Sequence, residues 1–304
     1  MPAVNDLPDI LETTVAERLA TGFVFTEGPL WHPDGYYYFV DIRVNRLYRI
    51  TPGRAPELVR ETAGGNGTTF DLEGRLIHCE GTGRRVVRTG HDGKVEVLVD
   101  RFKGGRFNRP NDVVCRSDGS IFFTDPDKRV PYTEREIPPP AGVNNLWDGA
   151  CVYRVAPDGA LNRVANCEYP NGLAFSPDER TLYVANTRSS KYIHAIEVDT
   201  AGKMVSRRIF ADMNAGDEPG IPDGLKVESR AVAPGGFPDK YRRLAGCHLI
   251  ELVAAQVDEV VVAIGMPERA FGKNESGCEA LGFGGLQNIG QVVRGGHDLF
   301  LLSS

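Results

Sequence analysis

Short runs of alternating apolar and polar residues fill most of the chain, and they recur in a fixed order. Each unit opens with an acidic or amide residue followed by Gly, or once by Asp. The openings are EGPLWH from Glu27, NGTTFD from Asn66, NDVVCR from Asn111, NGLAFS from Asn171 and DGLKVE from Asp223. A repeat with a period of tens of residues indicates a modular architecture before any single residue is interpreted.

Three further strand-like runs follow each of the first four openings. The second runs are YYYFVDI (36–42), RLIHCEG (75–81), SIFFTDP (120–126) and TLYVANT (181–187). The third runs are RLYRI, RRVVRT, CVYRVA and YIHAIEV, and the fourth runs are ELVR, KVEVLVD, LNRVA and SRRIFA. Tight turns rich in Asp, Gly and Pro separate them, which is typical of strand ends. Four strands per unit predict the blades of a β-propeller.

An up-and-down barrel is the alternative, because it also has many short strands joined by turns. In a barrel each hairpin would resemble the next at a shorter period. Here the acidic or amide opening returns only once in four strands. We therefore predict an all-β fold, a propeller of four-stranded blades in a single domain over residues 1–304.

Two segments depart from the repeat. Residues 127–148 contain four prolines and predict a loop over one face of the third unit. After Glu228 the rhythm of turns and strands fades, and residues 248–262 are also compatible with a helix. The last segment is long enough for two blades, which we expect to be irregular. Divergence, a different terminal segment or an altered reading frame would each produce such a change.

Composition and charge limit the classes of partner that we expect. The 304 residues are 41% hydrophobic and 25% charged, with a net charge of −6 and no run of five Lys or Arg. We therefore expect neither a nucleic acid nor a membrane as partner. Asp6, Asp9 and Glu12 interrupt the N-terminus where a secretory signal would be apolar, so we expect a soluble, cytoplasmic protein. Nothing in the sequence indicates the oligomeric state.

Other catalytic and metal-binding motifs are missing from the sequence. The six cysteines are scattered without a CxxC pair, so we expect reduced, buried thiols. There is no GxSxG nucleophile motif and no HExxH motif. His78 and His194 lie within strand-like runs and are predicted to be packed rather than catalytic.

The openings carry the candidate chemistry. In a propeller the innermost strands start near the central axis, so residues at equivalent starts converge. Carboxylate and amide oxygens suit a hard cation, which favours Ca²⁺, then Mg²⁺ and Mn²⁺, with Zn²⁺ the weakest candidate. Each opening alone could be an ordinary turn, but five at one phase of a repeat favour a shared site. The set is Glu27, Asn66, Asn111, Asn171 and Asp223.

Several of these motifs resemble a known family in their order along residues 14–228. They are EGPLW (27–31), NRPNDVV (108–114) with SIFFTDP, YPNGLAFSPDERTLYVANT (169–187) and IPDGLKV (221–227). They resemble the senescence marker protein, gluconolactonase and luciferin-regenerating enzyme family. The resemblance implies a six-bladed propeller with one divalent metal ion in the channel.

The resemblance also implies roles for individual residues. Glu27, Asn171 and Asp223 would ligate the metal, and Asn111 would complete its shell or contact substrate. Arg109 stands where the family can use a substrate-binding arginine, although a solvated or structural arginine is an equal alternative. Asn66 is assigned to the substrate side of the same cluster.

The activity implied is hydrolysis of a sugar lactone, a small-molecule substrate, with Asp223 as general base. A phosphotriesterase or arylesterase on the same scaffold is the first alternative, because a cation polarises P=O as well as C=O. A non-catalytic calcium-binding propeller is the second.

Overall fold

The computed structural model describes residues 17–126, 150–188, 190–214 and 221–227, together with three short strands near the C-terminus. These residues form β-strands numbered here in chain order, and a single 3₁₀ turn at Ile42–Val44. The predicted loop at 127–148 lies outside the described residues. No helix among them is long and apolar enough to cross a membrane.

Four sheets of four antiparallel strands form the body of the structure, each a meander in chain order. The first comprises β2 (Thr26–His32), β3 (Tyr36–Asp41), β4 (Arg46–Ile50) and β5 (Glu57–Glu61), and the second β6 (Gly65–Phe70), β7 (Leu76–Glu80), β8 (Arg85–Thr89) and β9 (Val95–Val99). The third comprises β12 (Val113–Cys115), β13 (Ile121–Asp125), β14 (Cys151–Val155) and β15 (Leu161–Asn166), and the fourth β16 (Pro170–Phe175), β17 (Thr181–Asn186), β18 (Tyr192–Val198) and β19 (Met204–Asp212). The prediction of an all-β fold with four strands per unit is confirmed.

The remaining strands form three smaller sheets. A ribbon of β10 (Arg101–Phe102) and β11 (Gly105–Arg106) joins the second sheet to the third. The fifth opening lies in β20 (Ile221–Lys226), which pairs with β21 (Leu249–Ala254), and β21 pairs with β22 (Val262–Met266). Near the chain ends, β1 (Glu17–Thr21) pairs antiparallel with β23 (Asp298–Leu301).

The helical alternative for 248–262 is wrong over residues 249–254. These residues form β21, whose backbone is hydrogen-bonded to β20 on one edge and to β22 on the other. Pairing on both edges satisfies the backbone groups that a helix would satisfy internally. Most other residues of the 229–304 segment lie outside the described part.

The strands β7, β13 and β14 are buried on both faces. Successive strand residues point to opposite faces, and in β13 they enter two different cores. Phe123 packs with Ile77 of the second sheet, whereas the neighbouring Phe122 packs with Leu173 of the fourth. The third sheet is therefore packed between its neighbours, as in a propeller.

The cysteines follow the expected pattern where the structure describes them. Cys79, Cys115, Cys151 and Cys167 are buried and carry free thiols. Cys247 and Cys278 lie outside the described residues.

The first strand of each sheet contacts the first strand of the next, in the order β2, β6, β12, β16 and β20. Glycine permits this approach. An ideal Cβ on Gly28, whose φ is 57°, would lie 2.3 Å from the Asn66 carbonyl oxygen. One on Gly172 would lie 2.3 Å from the Asp223 carbonyl oxygen and 2.4 Å from the Leu225 nitrogen. Only a residue without Cβ lets the two backbones pack this closely.

Replacing Gly172 with alanine tests this packing. The new methyl group would press on backbone atoms, which cannot move aside as a side-chain end can, so Gly172→Ala should lower the free energy of unfolding by about 1–3 kcal/mol. Gly81→Ala is the control, because an ideal Cβ there meets nothing closer than 3.4 Å. Urea denaturation of both variants measures the effect. Equal stability of the two variants would contradict the tight fit at Gly172.

Candidate functional site

The predicted site residues lie where the inner strands leave regular pairing. The register shifts between Glu27 and Leu30 in β2, and across Asn66 in β6, Asn171 in β16 and Asp223 in β20. Such bulges bend a strand and redirect its side chains, and they are frequent beside active sites. Asn111 has an equivalent place two residues before β12.

A series of hydrogen bonds connects successive sheets at or beside their openings. In each bond a threonine hydroxyl or a backbone N–H donates to a carbonyl oxygen at or beside an opening of the next or previous sheet. The bonds are Thr68 Oγ1 to Gly28 O (2.7 Å), Gly67 N to Asn111 O (2.8 Å), Thr124 Oγ1 to Asn171 O (2.7 Å) and Thr187 Oγ1 to Pro222 O (2.8 Å). The structure therefore brings the five openings together in chain order, each beside the next.

The five side chains differ in depth. Asn111 and Asn171 are buried, with 8% and 9% of their surface exposed. Glu27, Asn66 and Asp223 are partly exposed. Within the described ranges, no three side chains of His, Cys, Asp or Glu are grouped as metal ligands. A metal held here would therefore depend on amide oxygens as well as carboxylates.

The third opening has Asp112 where the other openings have glycine. Its carboxylate Oδ1 accepts a hydrogen bond from the Val113 N–H at 2.8 Å. An ideal Cβ on Gly67 would lie 2.1 Å from the same oxygen. Burial raises the pKa of the Asp112 carboxyl, and the Lys226 ammonium opposes that shift. At this opening the packing against Gly67 therefore includes a buried side chain.

Sequence reasoning missed a second layer of polar residues at the last position of β3, β13 and β17. These are Asp41, Asp125 and Asn186, here called the clasp residues because each binds backbone N–H groups just ahead of an opening. Asp41 accepts hydrogen bonds from Val24 N (2.8 Å) and Phe25 N (3.1 Å). Asp125 accepts from Asn108 N (2.8 Å) and Arg109 N (2.7 Å), and Asn186 accepts from Tyr169 N (2.6 Å). The signal was present in the second runs, whose strands end in FVD, FTD and VAN.

In the second sheet, the side chain at the corresponding position does not bind the backbone ahead of the opening. Glu80 takes the corresponding position and is fully buried, but its carboxylate accepts hydrogen bonds from Arg60 Nη1 at 2.8 Å and Arg85 Nε at 2.7 Å. Burial alone would raise the pKa of Glu80, but the two guanidinium groups prevail and lower it. The backbone ahead of Asn66 is bound instead by Asn45, whose Oδ1 accepts from Gly64 N at 3.0 Å.

His78 lies in this charged cluster and is packed, as predicted. It is fully buried, and its Nδ1 lies 3.2 Å from Arg60 Nη2. Burial and, next, the Arg60 charge lower the pKa of His78 to about 3. His194 is only half-buried, and burial lowers its pKa as well.

Arg109 belongs to the same edge as the openings. Its backbone N–H is bound by Asp125, and its Nη2 lies 3.5 Å from Thr82 Oγ1. The residue is partly exposed beside the buried Asn111. Its role in binding substrate stays a prediction.

Comparison with known proteins identifies the family. A model described as the SMP-30/Gluconolactonase/LRE-like region matches residues 25–232. The chain belongs to this family. A gluconolactonase from Zymomonas mobilis is 29% identical, covering 78% of this chain and 71% of the relative. A pentonolactonase from Haloferax volcanii is 30% identical, covering 71% and 67%. The solved structure of a gluconolactonase from Xanthomonas campestris is 33% identical with a TM-score of 0.62, covering 78% of this chain and 73% of that one.

The extent of the match agrees with the repeat pattern. The family region ends at residue 232, close to Glu228, where the turn-and-strand rhythm fades. All five openings lie within it. The resemblance proposed from the motifs is therefore confirmed at the level of the SMP-30/gluconolactonase/LRE-like family.

Acid titration tests the buried state of His78. Between pH 6.5 and about 3 the unfolded chain protonates this histidine and the folded protein does not. Its contribution to stability is therefore lost as the pH falls, by at most about 1.4 kcal/mol per pH unit. In urea denaturation at several pH values, the free energy of unfolding of His78→Gln should fall less steeply with decreasing pH than that of the wild type. His91→Gln, at an exposed histidine, should follow the wild type. If the free energy of unfolding depends on pH in the same way in His78→Gln and the wild type, the lowered pKa of His78 is contradicted.

Proposed function

We propose that this protein hydrolyses a sugar lactone at the edge where the five openings meet, with a divalent cation held by their oxygens. The observation that carries the proposal is the close contact of neighbouring openings. Gly28, Gly67 and Gly172 make three of these contacts, and the hydrogen bond from Thr124 Oγ1 to the Asn171 carbonyl connects the third sheet to the fourth opening. The gluconolactonase and pentonolactonase relatives support the reaction class.

The donor set fits a hard cation. The openings offer two carboxylates and three amides, with no thiol or imidazole among them. Ca²⁺ accepts such mixed oxygen ligands with flexible geometry, so it is the proposed ion, ahead of Mg²⁺ and Mn²⁺ and then Zn²⁺. Glu27, Asn171 and Asp223 would hold it, with Asn111 beside them. When bound, the cation would supply Lewis-acid polarisation of the lactone carbonyl.

The chain's own residues supply the proton transfer and the positioning. Asp223 is partly exposed, so its carboxylate is accessible to a water molecule and is proposed to accept its proton. The water oxygen bonds to the carbonyl carbon, the bond from that carbon to the ring oxygen breaks, and the ring oxygen takes up the proton that Asp223 had accepted. The product is the open hydroxy acid. Arg109, Asn66 and Asn111 are proposed to bind the polar groups of the sugar.

The same proposal includes a closed six-bladed ring. The four-stranded sheets and the sheet led by β20 account for five blades. Pairing of β1 with β23 brings an N-terminal and a C-terminal strand into one two-stranded sheet, the proposed sixth blade, which supports closure. Closure would pack the last blade against the first around one axis, and the whole chain would then form one domain.

Two replacements of Asp223 test its proposed roles as metal ligand and as general base: alanine removes both roles, and asparagine removes only the base. Asp223→Ala should lose calcium binding, measured by calorimetry, and lower kcat by about 10²-fold or more on gluconolactone. Asp223→Asn keeps a ligand oxygen but not a base, so it should retain part of the calcium affinity while losing turnover. Asp158→Ala, at an exposed turn aspartate, is the control and should resemble the wild type. Undiminished lactonase activity in Asp223→Ala would refute the assignment.

A substrate panel with and without chelator separates lactonase from its alternatives. We expect the calcium-loaded protein to open gluconolactone at least about tenfold faster, as kcat/KM, than it cleaves a simple aryl ester or an organophosphate. Chelator should remove the activity, and added Ca²⁺ should restore it. Preference for the organophosphate or the ester would favour the phosphotriesterase or arylesterase alternative. Calcium binding without turnover of any of the three would favour a non-catalytic propeller.

A further inference from the structure

We propose that the clasp residues Asp41 and Asp125 are positioning residues with separate tasks, Asp41 for the metal side of the site and Asp125 for the substrate side. The proposal rests on the proposed function, because it concerns residues assigned to metal and substrate there. It adds two residues that lie outside the five openings.

Asp125 and its neighbour Thr124 bind the backbone that carries the substrate residues. Asp125 is 1% exposed, and its two oxygens accept from the consecutive N–H groups of Asn108 and Arg109. The Thr124 carbonyl accepts from the Asn111 N–H at 2.9 Å.

Proline completes this arrangement. Residue 110 is Pro, which has no N–H and a restricted φ. Every backbone N–H from residue 108 to 111 is therefore bound to the end of β13. With these N–H groups anchored, the directions in which Arg109 and Asn111 leave the backbone are restricted.

Asp41 makes the equivalent contacts ahead of Glu27. It is 2% exposed and accepts from Val24 N and Phe25 N with its two oxygens. The Phe25 carbonyl accepts in turn from Ile42 N at 3.0 Å. The segment two residues before Glu27 is thus bound on both sides to the end of β3, close to a proposed metal ligand rather than to Arg109.

At both positions the two N–H groups are bound by different oxygens of one carboxylate. Asn186 shows the difference, since its single Oδ1 accepts only from Tyr169 N while its Nδ2 donates to the Arg188 carbonyl at 3.1 Å. An asparagine at 125 would keep one acceptor and turn an NH₂ group toward the other N–H. Asp125→Asn should therefore retain part of the function that Asp125→Ala loses.

The experiment compares Asp125→Ala and Asp41→Ala with a matched control. Asp71→Ala is that control, because Asp71 is also a buried carboxylate that accepts from two backbone N–H groups, Glu73 N at 3.0 Å and Arg75 N at 2.8 Å. It lies in the turn at the opposite end of β6 from the opening. All three variants lose two backbone hydrogen bonds, and Asp71→Ala also loses an ion pair with Arg75 Nε at 2.7 Å. A merely structural effect should therefore be at least as large in Asp71→Ala as in the other two.

The expected results differ in kind. Asp125→Ala should raise KM for gluconolactone about tenfold with calcium affinity within twofold of wild type. Asp41→Ala should weaken calcium affinity, measured by calorimetry, about tenfold, with KM at saturating calcium within about twofold. Asp71→Ala should lower the unfolding midpoint but change neither KM nor the calcium affinity. The KM of Asp125→Asn should lie between that of Asp125→Ala and that of the wild type.

Amide hydrogen exchange provides a readout independent of activity. Peptides covering 108–111 should exchange faster in Asp125→Ala and at the wild-type rate in Asp71→Ala. If KM and this exchange stay at wild-type values in Asp125→Ala and Asp125→Asn while the wild type is active, the positioning role is overturned. Equal changes in both constants in Asp41→Ala, Asp125→Ala and Asp71→Ala would also overturn it. A wild-type protein that opens no lactone overturns the proposed function itself.

Discussion

The close approach of neighbouring backbones at the strand openings is the constraint on which the rest of the structure depends. At Gly28 and Gly172 the neighbouring carbonyl oxygen lies only 2.3 Å from the position of an ideal Cβ. Such spacing requires glycine, and it draws the first strands of successive sheets together. The backbone of each opening is then held beside that of its neighbour at one edge of the structure. Packing therefore assembles the site, without any need for the site residues to attract one another.

The fold was largely predictable because its information is local and repeated. Alternating runs, turn residues and one opening per four strands are enough to predict the sheets, and the β3, β7, β13 and β17 strands fall within the predicted second runs. Residues 249–254 were ambiguous because their apolar pattern suits a strand or a buried helix, and only pairing with β20 and β22 decides between them. Long-range pairing of this kind is not encoded in a local pattern.

Of the candidate site, only the positions of the openings in the repeat were predictable from the sequence. The openings are marked by position in the repeat, so residues such as Asn66 and Asn171 could be found from phase alone. The clasp residues carry the same kind of side chain at the other end of the hairpin, but the repeat does not reveal what they bind. Asp125 accepts hydrogen bonds from the backbone N–H groups of Asn108 and Arg109 because the loop before the third opening passes beside it. Sequence spacing does not determine the path of that loop.

Burial divides the acidic residues of this edge into two groups. Asp41 and Asp125 are almost fully buried, and each places two oxygens on two backbone N–H groups. Glu80 is equally buried and lies between two arginines. A buried charge is tolerated when hydrogen bonds or counter-charges compensate it, so these acids belong to the framework. Glu27 and Asp223 are partly exposed at the same edge, where an ion or a water molecule can reach their oxygens. Partial exposure thus makes the opening carboxylates suited to the chemistry proposed here, whereas Asp41 and Asp125 bind the backbone ahead of the first and third openings.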